Sequence, residues 1–131
     1  MKNLFRILML ISIGLFLNSC YYDSYPEIEE PEITPPDPDE PISYKDQIQP
    51  IWDNECVFCH KGSEPPDLRE EVSYEVLTTE GWVVKGDANS SILYKSLLGV
   101  DGVPLMPTSG KLPDQQIEWV EEWINDGAPD N

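Results

Sequence analysis

Cys56-Val57-Phe58-Cys59-His60 is a C-x-x-C-H run, and its reading decides what the rest of the chain is for. In an exported protein this pattern marks the attachment site of a c-type haem. Two thiols carried on one turn reach the two vinyl groups of the porphyrin as thioethers, and the next residue, His60, is held under the iron. Other chemistries fit the five residues less well. Structural zinc needs four ligands, and the chain has no second Cys or His cluster. A thioredoxin-type C-x-x-C opens a helix after a strand in a βαβ setting, a pattern that does not surround Cys56. A structural disulfide stays open in an oxidising compartment, but it gives no role to His60.

Working outward, residues 1–17 carry Lys2 and Arg6 and then an apolar run from Ile7 to Leu17. The run is too short to span a bilayer and has the charge layout of a secretory signal. Leu17-Asn18-Ser19-Cys20 resembles a bacterial lipoprotein cleavage box, with Asn18 in place of the usual small residue. The expectation is a signal peptide over residues 1–19 and a lipid on Cys20, which would anchor the mature chain to a bacterial membrane as a periplasmic or cell-surface lipoprotein. An ordinary signal with a chance cysteine is the alternative. The three cysteines of the chain favour lipidation, because haem consumes two and an exported protein rarely keeps a third thiol free.

Residues 20–41 form the next segment, with prolines at 26, 31, 35, 36, 38 and 41 interleaved with Asp and Glu. Such a composition cannot build a core. Proline fixes φ and like charges repel, so the segment is expected to be a disordered, extended tether of roughly 60 Å at about 3.1 Å per residue. A domain of about 90 residues has a radius of gyration near 12 Å, so the tether is longer than its cargo.

Residues 42–131 then make one small domain, and the pattern is all-α, with three to five helices. Ser43 and Asp46 resemble a capping box opening a helix that carries Tyr44, Ile48, Ile51 and Trp52, with Pro50 expected to kink or interrupt it. Lys61 to Pro66 reads as a loop, Val72 to Thr79 as a short helix, and Gly81-Trp82-Val83-Val84 as extended. A further helix is expected from about Ser90 to Leu98, closed by Gly99. Trp82, Tyr94 and Leu97 suit a haem lining or a core equally. Asp101 to Lys111 is a loop containing Met106, and the last helix starts near Pro113 or Asp114. That helix carries Ile117, Trp119, Val120, Trp123 and Ile124, with Gly127 placed to end it. Its apolar face should pack against the helix before Cys56.

Gln49-Pro50-Ile51 leading to the C-x-x-C-H run, Val84-Lys85-Gly86-Asp87 before Ser91-Ile92-Leu93-Tyr94, then Met106-Pro107 and Trp123-Ile124-Asn125-Asp126-Gly127-Ala128 occur in that order. Together they resemble a class I, single-haem cytochrome c domain of exported bacterial proteins. Lys85 departs from the proline such domains often have before Gly-Asp. The resemblance implies one covalent haem c crossed by the first and last helices, with Cys56 and Cys59 as thioethers. His60 and Met106 would be the axial ligands, and a proline carbonyl after the haem box would accept the His60 ring N–H. Once residues 1–19 are removed, His60 is the single histidine and Met106 the single methionine.

The expected function is membrane-tethered electron transfer between redox partners outside the cytoplasm, not catalysis. A haem-based module that senses a small ligand through a displaceable Met106 is the alternative, and a peroxidase stands third for want of a second haem box. Removing residues 1–19 takes away Lys2 and Arg6, leaving six basic against 25 acidic side chains. That charge excludes nucleic acid and anionic headgroups as docking surfaces and favours a redox partner with a basic one.

Overall fold

The computed structural model describes residues 33–37 and 39–131. The expected signal peptide, Cys20 and most of the tether lie outside them. Among the described residues the fold is helical, without strands. A π-helical segment, Tyr44–Ile48, runs directly into α1, Gln49–Glu55. After a long loop come α2, Ser73–Thr79, a single 3₁₀ turn at Ala88–Ser90, α3, Ile92–Leu98, and α4, Asp114–Asn125.

Three of the four α-helices have seven residues, a length at which an isolated helix is marginal in water. Burial must therefore hold them. Ile48, Ile51, Trp52, Leu77, Val120, Trp123 and Ile124 are completely buried. The expected contact of the last helix with the first is made through the π-helical segment, where the rings of Tyr44 and Trp123 lie 5.1 Å apart.

The start of the first helix is closed by four separate bonds. Ser43 Oγ accepts the Asp46 N–H at 3.2 Å, as a capping box requires. The return bond comes from Gln47 rather than Asp46, with Gln47 Oε1 accepting the Ser43 N–H at 2.9 Å. Asn131 supplies the rest: its side-chain oxygen accepts from Tyr44 N–H at 2.9 Å and its backbone oxygen from Lys45 N–H at 3.0 Å. Pro50 does not interrupt the chain of helical turns. It follows the π-helical segment at the second position of α1, where the change of helix type takes up the missing donor and the ring's bulk.

Gly81 to Val84 is a non-helical segment held between α2 and α3, with Val83 N–H donating to Leu77 O and Trp82 O accepting from Leu93 N–H, both at 3.0 Å. One other expectation is corrected. The third helix starts at Ile92 rather than Ser90. Asp87 caps its own 3₁₀ turn by accepting Ser90 N–H at 3.0 Å. Ser91 is extended, and its hydroxyl accepts from Val84 N–H and donates to Asp87 O, each at 2.9 Å.

The two outlying sequence marks meet in space. Gly86 N–H donates to Ile124 O at 2.8 Å, and Ala88 N–H to Asn125 Oδ1 at 3.0 Å. Gly127, at φ +94°, turns the chain out of α4, and the Ala128 N–H reaches back to Trp123 O at 2.9 Å in a Schellman closure. Near the other end, Ile33 packs on the core and Gln47 Nε2 donates to Thr34 O at 3.2 Å. Ile33 and Thr34, which were expected to belong to the free tether, therefore lie against the domain.

Candidate functional site

Helix α1 delivers the site. Trp52 O accepts the N–H groups of both Cys56 and Val57 at 2.9 Å, so the helical path continues past Glu55 before it tightens. Cys56 O then accepts from Cys59 N–H at 3.1 Å and His60 N–H at 2.9 Å. Both thiols and the imidazole are thus carried on a single turn. Cys56 and Cys59 are unbridged, the first half-buried against the core and the second exposed. Burial, with Glu55 and Cys59 adding smaller effects, pushes the Cys56 thiol up to about 12. It is a protonated thiol at neutral pH, unlike the thiolate of a disulfide oxidoreductase.

His60 is oriented by its own loop. Its Nδ1 lies 3.2 Å from both Glu64 O and Pro66 O. Carbonyl oxygens only accept, so Nδ1 carries the proton and Nε2 keeps its lone pair for another partner. The loop is tied at its far end by Leu68 N–H, which donates to His60 O at 2.9 Å. Asp67 and Arg69 pair on its outer side at 2.6 Å, and Arg69 holds the Asp67 carboxyl below the usual range. Phe58, between the two cysteines, is 86% exposed, with the Lys61 ammonium 5.7 Å from its ring centre.

Met106 stands on a different segment, the loop between α3 and α4. Its N–H donates to Ser96 O at 2.8 Å, which ties the loop to α3, and its side chain is half-buried outside the core. Cys56, Cys59 and His60 share one backbone turn; no hydrogen bond among the described residues joins the Met106 loop to that turn. Tyr94 and Leu97 are core residues, and Trp82 is half-buried against the core. Burial, together with Glu121 and Glu118, pushes the Tyr94 phenol up to about 12.

Sequence reading noted Gln49 as part of a pattern and assigned it no role. It is 4% exposed, and its amide donates to Leu68 O at 3.1 Å and to Asp53 Oδ1 at 2.8 Å. The available signal was a polar residue between Ile48 and Pro50 on an otherwise apolar helix face.

Chemically, the turn offers two thiols able to form thioethers and one imidazole nitrogen able to bind a metal. Zinc is a poor match, since no three His, Cys, Asp or Glu side chains among the described residues converge as a metal site. No protein-family model, curated protein or solved structure matches this chain.

Proposed function

We propose that the domain is a single-haem cytochrome c that carries electrons outside the cytoplasm, held at a bacterial membrane by a lipid on Cys20. The observation that carries the reading is the His60 turn. Two unbridged thiols and an imidazole share it, and two carbonyls occupy Nδ1 so that Nε2 is the nitrogen left to bind. This donor set suits a haem c. Cys56 and Cys59 would hold it as thioethers, His60 would take one axial position, and Met106 the other.

Bound in this way, the haem supplies a one-electron iron couple whose potential is raised by a thioether ligand. The remaining work belongs to the chain. Pro66 and Glu64 fix the imidazole tautomer through their carbonyls, and hydrogen bonding at Nδ1 strengthens Nε2 as a donor. The Ser96 bond fixes the backbone at Met106. With His60 and Met106 both holding the iron, the domain would have no open site for a substrate and would serve as a carrier rather than an enzyme. The acidic chain suits a redox partner with a basic docking surface and no nucleic acid. A sensing module is the second reading, favoured by one observation: the Met106 side chain lies outside the core, where a small ligand can displace it more readily.

Expression with a haem-lyase system tests both. The expected product keeps one haem mass through denaturation, and Cys56→Ala with Cys59→Ala abolishes the adduct. A covalent adduct in the double variant would remove the proposal. Rapid binding of carbon monoxide by the reduced wild type would move the function from carrier to sensor.

A further inference from the structure

A buried chain of side chains runs beneath the His60 loop. Tyr44 OH donates to Ser73 Oγ at 2.8 Å, and the Ser73 hydroxyl donates to Gln49 Oε1. Gln49 Nε2 spends its two hydrogens on Leu68 O and Asp53 Oδ1. Tyr44, Gln49 and Ser73 are 5%, 4% and 0% exposed. Each donor finds an acceptor, so the direction of every bond and the flip of the Gln49 amide are fixed by the network itself.

Leu68 is where this chain meets the site. Its carbonyl is held by Gln49, its N–H holds His60 O, and two residues earlier the Pro66 carbonyl takes the His60 Nδ1–H. We propose that Gln49 is a positioning residue for His60, acting through the Pro66–Leu68 segment, with Ser73 setting the amide's orientation. A free loop would let the Pro66 carbonyl wander and the imidazole turn. Gln49 instead holds Leu68 O, two residues on, from the helix that also delivers Cys56, so one rigid element sets the thiol positions and limits how far the Pro66 carbonyl and the ring can move. The consequence for an iron ligand rests on the haem reading above; the bond chain does not.

The test uses the full chain made with the haem-lyase system and reduced to its diamagnetic form. Solvent exchange of the His60 Nδ1–H and the Leu68 amide is timed by NMR, with the Val120 amide in α4 as a reference. Gln49→Leu keeps the volume and removes both donations, and it should speed both site protons about tenfold while Val120 keeps its rate. The midpoint potential should move with them. Tyr44→Phe cuts the far end of the chain and should leave both protons near their wild-type rates. Should Gln49→Leu not fold, Ser73→Ala is read in the same way, with a smaller acceleration at both protons. Wild-type exchange at His60 and Leu68, or equal acceleration at Val120, would overturn the positioning role. If no haem attaches at all, the function fails on its own, and the Leu68 amide of the haem-free chain still reads the Gln49 bond.

Discussion

The Trp123 end of the domain and the His60 turn are built on opposite plans. Around Trp123 the bonds join distant parts of the chain: Gly86 N–H donates to Ile124 O, Ala88 N–H donates to Asn125 Oδ1, and Asn131 closes the first helix. The bonds that His60 itself makes are local, joining residues four to eight positions apart, with the Gln49 amide on Leu68 O as the long-range tie of its loop, and the apolar Phe58 faces solvent. The difference teaches a division of labour. One region spends its side chains on stability, and the other leaves thiols and a ring nitrogen available for chemistry.

Trp123→Ala should break the first region most severely. The side chain is completely buried and also fills the space beside Tyr44. A loss of about 3–5 kcal/mol is expected from cavity formation, read as a lower midpoint in chemical denaturation. A loss below about 1 kcal/mol would mean this region is not the stabilising one.

Alkaline pH probes the same region without a substitution. Burial raises the Tyr44 phenol from its ordinary 10.0 to about 12. Between those values the unfolded chain releases the proton and the folded one keeps it, so the contribution is whole below about pH 10 and drains away as pH rises toward 12. The loss is at most about 2–3 kcal/mol. Tyr44→Phe should flatten that part of the stability curve, and an unchanged slope would place the alkaline loss elsewhere.

Gly127→Ala is a smaller test of the closure of α4. At φ +94° a Cβ is strained even though nothing lies within 4 Å of it, and about 1–2 kcal/mol of destabilisation is expected by thermal denaturation. A neutral result would show that the backbone there relaxes freely.

Met106→Ala sharpens the comparison from the other side. Stability should change by less than about 1 kcal/mol, since the side chain lies outside the core. On the proposed haem reading the spectrum should change completely, with the ferric protein becoming high-spin and losing the weak near-infrared sulfur-to-iron band. A wild type without that band would show that Met106 is not a firm ligand.

Helices were legible because their signals are local. The three- and four-residue spacing of Ile117, Val120 and Ile124, and the stops at Gly99 and Gly127, depend on neighbours in the chain. The turn from Cys56 to His60 was legible for the same reason. What escaped were bonds between distant positions, such as Asn131 to Ser43 or Gln49 to Leu68, which no periodicity encodes. The helix expected from about Ser90 begins at Ile92 for a similar reason: Ala88–Ser90 forms its own 3₁₀ turn on the Asp87 cap, and Ser91 is extended with its hydroxyl on Val84 and Asp87.

The Asn131 contacts with Ser43, Tyr44 and Lys45 have a topological consequence. The backbone at Asn131 already touches the start of the first helix, so the order in which the helices are strung is separable from their arrangement. A circular permutant that joins Asn131 to Ile42 through a short Gly-Ser bridge and reopens at Gly110 would keep every helix and the Cys56–His60 turn intact. It would also put a chain break beside Met106, turning the loop that carries this residue from a closed span into a free arm.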